Sequence, residues 1–145
     1  MVGRQKMFVR RRDGRIEIRL NDAGRAVARE AFGHVVAAEG DPNHEWHVIL
    51  NAPIDPSCDQ DDPVATLNRE HDTSTNVELA VMTLNDLYLN DAEAWAWLCT
   101  LQVALRSTAV ANGLLSDEKL AECASDLLDY VRTLQAFLFE LAECF

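Results

Sequence analysis

Positive charge is scarce in this chain, and the runs and motifs that usually announce a membrane anchor or a catalytic centre are missing. There are 13 lysines and arginines against 24 aspartates and glutamates in 145 residues, a formal net charge of -11. No stretch of about 18 apolar residues is present, so no transmembrane helix is expected. The N-terminus is basic with no apolar stretch behind it; it does not read as a signal peptide, and a cytoplasmic location is expected. Cysteine is sparse too. Cys58, Cys99, Cys123 and Cys144 are widely spaced and are expected as free thiols buried as small hydrophobes. No Gly-rich phosphate loop, Gly-x-Ser-x-Gly elbow or recognisably spaced Cys–His pairing occurs. A non-enzymatic protein without a cofactor is therefore the expectation.

What is present suits one packed domain over residues 1–145. The chain is 48% hydrophobic, and a domain of this length buries roughly two thirds of the surface its unfolded chain exposes. The few basic residues are unevenly placed. Residues 1–29 hold nine of the 13 bases and three of the 24 acids, a local balance of +6, whereas residues 30–145 balance at -17. A basic arm thus precedes an acidic body. Such a body is poor material for a nucleic-acid surface, which needs clustered Lys and Arg.

The arm has a strand signature. "FVRRRDGRIEIRL", within Met7 to Leu20, reads as a β-hairpin around Asp13-Gly14 with a two-residue type I′ turn. That register sets Arg12 against Arg15, Arg11 against Ile16, Arg10 against Glu17 and Val9 against Ile18. One face then carries Met7, Val9, Ile16, Ile18 and Leu20. The other carries Phe8, Arg10, Arg12, Arg15, Glu17 and Arg19. A two-stranded ribbon is marginal in water, so it must dock on helices or pair again. Two edges of unpaired backbone would be open to a further strand.

Beyond Leu20 the pattern is helical, and the fold class expected is α+β, predominantly α: an N-terminal hairpin packed on about four to five helices. Asn21 or Asp22 caps a first helix over residues 21–40, with Val27, Ala31, Val35 and Ala38 as its apolar stripe, widened by Phe32 and Val36. Residues 41–62 read as an irregular loop punctuated by proline, with "HEWHVIL" as a short strand or one helical turn. The helical body, 63–145, begins with a short helix at Asp62-Pro63. Thr75 to Glu78 is a capping-box sequence that predicts a new helix through Leu84 and on to Leu87 or Tyr88. Asn90 to Glu93 opens a long helix ended near Gly113, with Trp95 and Trp97 on different sides. Two further helices follow Ser116 and Ser125, the second presenting Leu127, Leu128, Val131, Leu134, Leu138 and Leu141.

Two groups invite a functional reading. His44 and His47 in "HEWH" are three apart rather than four, and a third metal ligand is not apparent, although Cys58, Asp59, Asp61 and Asp62 lie near in sequence. Two ordinary loop histidines, and no metal, are the expectation. The arginine face is the stronger signal: Arg10, Arg12, Arg15 and Arg19 are candidate partner-contact residues. Its bland counterpart is a charged edge that blocks sheet aggregation.

The opening "FVRRRDGRIEIRL", the amphipathic helix after it, Asp61 to Pro63 and "EAWAWLCTLQVALR" (Glu93 to Arg106) together resemble the uncharacterised actinobacterial family DUF2017. The family has no assigned catalytic residues, so the resemblance transfers none. Its genes often sit beside that of the Clp protease adaptor, which implies a regulatory or adaptor-like role and components of the Clp proteolysis system as partners. The function expected is thus a regulatory or adaptor-like interaction module whose hairpin meets an acidic protein surface or a second copy of itself. The alternative is a nucleic-acid-binding regulator using the same hairpin, which the acidic body disfavours.

Overall fold

Asn21 accepts the Gly24 N–H at 2.8 Å and so starts the first helix, as an N-cap asparagine should. The computed structural model describes residues 6–50, 63–114 and 117–145. Within them the order is β1 (Phe8–Arg10), β2 (Ile16–Ile18), α1 (Asp22–Gly40), α2 (His47–Leu50), α3 (Pro63–Met82), β3 (Tyr88–Leu89), α4 (Asp91–Ala111), α5 (Asp117–Glu122) and α6 (Ser125–Ala142). The fold is α+β and mainly helical. "HEWHVIL" ends in the single helical turn of α2, while residues 51–62 lie outside the described residues.

The centre of the molecule is α4, which packs against α1, α3 and α6. It is held at its start by a reciprocal capping box: Asn90 Oδ1 accepts Glu93 N–H and Glu93 Oε1 accepts Asn90 N–H, both at 2.8 Å. Trp97 is fully buried on it. Phe8 of β1 and Phe32 of α1 meet the Trp97 ring edge-on, at centroid distances of 6.1 and 5.1 Å, and Phe8 also meets Phe137 of α6 at 6.4 Å. Four elements therefore converge on one aromatic cluster. Each such pair adds about 0.5–1.5 kcal/mol beyond its area burial. Trp95, two residues from Trp97, lies at the surface as the helical period requires.

Three sequence expectations about the helices are corrected. Thr75 to Glu78 does not start a helix: it lies inside α3, which runs 20 residues from Pro63. The local hydrogen bonds that make a capping box at an end compete poorly with a helix already in progress. Nor does the helix reach Leu87 or Tyr88. It stops at Met82, where Thr83 Oγ1 donates back to Leu79 O at 2.9 Å. Arg25 of α1 then takes the carbonyls of Leu84 (2.8 Å) and Asp86 (3.2 Å). The freed chain becomes β3. Finally, Val36 is 47% exposed; the buried stripe of α1 is Ala28, Ala31, Phe32, Val35 and Ala38.

β3 changes the standing of the hairpin. It pairs antiparallel with β2 (Ile16 with Leu89, Glu17 with Tyr88), giving a three-stranded sheet in the order β1-β2-β3. Of the two hairpin edges expected to be open, the β2 edge is closed, and the β1 edge has no pairing strand among the described residues. The sheet's inner face buries Phe8, Ile16, Ile18 and Leu89.

Candidate functional site

The hairpin tip decides where the arginines point. Arg11 N–H donates to Arg15 O at 2.7 Å and Gly14 N–H to Arg11 O at 3.1 Å. The loop is thus three residues, Arg12-Asp13-Gly14, with Gly14 at φ +93°. This is a tight turn followed by a left-handed residue, the usual three-residue hairpin connection, and glycine fills that position without strain. The expected two-residue turn is corrected, and with it the register: Phe8 pairs with Ile18, Val9 with Glu17 and Arg10 with Ile16. A one-residue slip reverses every side chain of β1. Phe8 goes into the core, Val9 goes outward, and Arg15 stands opposite Arg11 rather than Arg12.

Each predicted contact arginine has a definite place. Arg10 reaches over the sheet edge to the acidic body, with Nη1 2.7 Å from Asp91 Oδ1 and Nε 3.0 Å from Cys144 O. Its guanidinium also lies 5.9 Å from the Phe145 ring centroid. Arg15 donates through Nε and Nη2 to Asp13 Oδ2 at 2.9 and 2.7 Å and lies 4.1 Å over the Tyr88 ring. Arg19 pairs with Glu17 at 2.8 Å, and the same carboxylate oxygen takes Arg11 at 3.3 Å. Arg12 is exposed and makes no hydrogen bond or ion pair among the described residues. The structure does not bring the four into one unpaired patch. It leaves Arg12 uncommitted, with Arg11 loosely held beside it, and Arg11 is the residue that sequence reasoning missed.

The electrostatics follow from these pairs. The Arg15 side-chain hydrogen bonds, then its backbone N–H, hold the Asp13 carboxyl below its ordinary value, and Asp13 in turn raises Arg15. The stabilisation from a lowered carboxyl is present above its unfolded value and is lost as pH falls through the folded one. Both groups are exposed, so the pair orders the tip more than it stabilises the fold.

Two further features complete the site. Val9 to Asp13 line an open hollow of about 440 Å³ beside the tip. Backbone hydrogen bonds link Arg19 to Met7 and Arg11 to Arg15. By antiparallel alternation, Phe8 and Arg10 then turn their N–H and C=O groups away from β2, toward the open edge. Basic side chains, a hollow and a strand edge unpaired among the described residues meet there. Such an edge binds an extended segment through its main chain.

The histidines are elsewhere. His44 Nδ1 accepts the Trp46 N–H at 3.0 Å, and His47 Nδ1 is 2.7 Å from Ala38 O. The His47 ring thus fastens α2 to the end of α1, while His44 holds the turn that leads into α2. Among the described residues no group of three or more His, Cys, Asp or Glu side chains is placed to hold a metal. Cys58, Asp59, Asp61 and Asp62 lie outside them. Cys99, Cys123 and Cys144 are free thiols, each half-buried rather than buried. Burial pushes the Cys99 and Cys144 thiols up, away from the thiolate form that nucleophilic chemistry needs.

A scan against protein-family models, a search of curated proteins and a search of solved structures each return no match. The site stands on its geometry. Among the described residues no helix is long and apolar enough to cross a membrane.

Proposed function

We propose that this protein is a non-enzymatic, cytoplasmic interaction module that binds an acidic, extended protein segment along the open edge of β1. The observation that carries the reading is the juxtaposition of the unpaired Phe8 and Arg10 backbone groups with Arg11 and Arg12 at the hollow. The main chain supplies affinity and the arginines supply the sign of the partner. Arg10, Arg15 and Arg19 shape this surface through their ion pairs. The regulatory setting implied by the DUF2017 resemblance, beside the Clp protease adaptor, belongs to the same proposal.

The test compares wild type with R11E/R12E in a nuclease-treated pull-down from native lysate, with cross-linking to locate the contact. These two positions are chosen because changing Arg10 would also remove its bonds to Asp91 and Cys144. A protein cross-linked through an acidic segment and lost on R11E/R12E is the expected result. Capture indifferent to the substitution contradicts the reading. Capture of nucleic acid alone, falling steeply with salt, would replace it.

A further inference from the structure

The outward face of the sheet sets a carboxylate among three arginines. Val9, Glu17 and Tyr88 stand opposite one another across β1, β2 and β3. Phe8, Ile16, Ile18 and Leu89 fill the inward face, so this row looks outward by alternation. Along β2 the same face carries Arg15, Glu17 and Arg19; along β1 it carries Val9 and then Arg11. Arg15 is turned to Asp13 and to the Tyr88 ring. Glu17 holds the other two through one oxygen, Oε1, with Arg19 Nε at 2.8 Å and Arg11 Nη1 at 3.3 Å. The carboxylate is half-buried and both arginines are exposed.

We infer that Glu17 is an internal stand-in for a carboxylate of the partner, and so the residue that sets the affinity and selectivity of the β1 edge. The inference rests on the edge-binding reading and names what tunes it. A strand added to β1 places one residue opposite Val9. Cross-strand neighbours share a face, so that residue also looks outward, in line with Val9 and Glu17. Arg11 lies two residues along β1 from Val9. Glu17 and the partner residue are therefore its diagonal neighbours on either side, a separation that long side chains span. The hollow lined by Val9 and Arg11 leaves room on the partner's side.

Arg11 can thus pass from Glu17 to an acidic side chain opposite Val9 by rotating its own side chain. Exposed ion pairs are weak, and the Arg11 contact is the longer of the two, so Glu17 yields rather than blocks. A segment with its acid at another position leaves Arg11 on Glu17 and gains less. The carboxylate also offsets part of the positive field that draws any acidic chain to the edge.

The test is a double-mutant cycle read by fluorescence anisotropy at low salt. The probe is a fluorescein-labelled oligo-glutamate peptide, which its own charge keeps extended. E17Q removes the charge and keeps the shape, and circular dichroism checks its fold. It is expected to bind the peptide about three- to tenfold tighter than wild type. Between R11Q and E17Q/R11Q the same change is expected to shrink to about twofold or less, because the released arginine is gone. An E17Q chain that binds no tighter than wild type overturns the inference. So does a gain as large without Arg11 as with it, which a change in the general field would produce. If either occurs while R11E/R12E still abolishes peptide binding, only the role of Glu17 falls. If no chain binds the peptide, the edge reading falls with it.

Discussion

Trp97 shows how a single polar atom can tie down a core. The indole is fully buried and its Nε1–H donates to Thr83 Oγ1 at 2.7 Å; that hydroxyl in turn donates to α3 backbone carbonyls. T83V keeps the shape and strands the indole N–H, so a loss of about 1–3 kcal/mol in urea unfolding is expected. Ser107 is the internal control: its hydroxyl is buried with no partner among the described residues, and S107A is expected to be neutral or stabilising. Equal losses at the two positions would contradict this account of the core. Tyr130, whose hydroxyl is likewise buried and has no hydrogen-bond partner among the described residues, has its pKa pushed up to about 12 by burial, with a smaller push from Glu30. These groups lie in the helical body, apart from the arginine chemistry of the sheet edge.

At the scale of elements, the boundaries that carry caps were the most legible. Asn21 and Asn90 both cap as their neighbours suggest, and N90A, which dissolves the reciprocal box on the central helix, is expected to cost about 1 kcal/mol in thermal or urea unfolding. A loss below the error of the measurement would mean that α4 is fixed by packing alone. The helix-rich fold, the hairpin and the placing of Trp95 and Trp97 on different sides of α4 were all readable from period and cap; which of the two is buried was not. The sheet was not. Asp13-Gly14 suits two turn lengths, and the choice between them turns on Gly14 adopting a left-handed φ after a three-residue loop. That one residue moved Phe8 inward and Val9 outward. β3 was hidden for a different reason: two residues carry no period, and Tyr88–Leu89 is a strand through its pairing with β2, far away in sequence. The site was legible as a basic hairpin. Which arginine stays uncommitted depended on long-range pairs such as Arg10 with Asp91, 81 residues apart.

Across the whole molecule the segregation of charge has a structural use before any partner is considered. Arg25 and Arg29 of the basic arm reach the chain just beyond the C-terminal end of α3, where a helix presents partial negative charge. Arg10 stitches the sheet to the start of α4. Together these contacts fix the sheet to the body and leave the outer edge of β1 without a neighbouring strand among the described residues. The net charge of -11 keeps copies apart in general, since its field extends about 10 Å at ordinary salt.

The central claim is that this edge is the contact surface, and amide hydrogen exchange at single-residue resolution tests it most directly. The N–H groups of Phe8 and Arg10 face away from β2, so they are expected to exchange fast in dilute protein. They should become protected as an acidic partner segment is added, while Val9, already bonded within the sheet, changes little. Fast exchange at Phe8 and Arg10 under every condition, including conditions in which a complex has formed, would contradict the account and place the contact on another face.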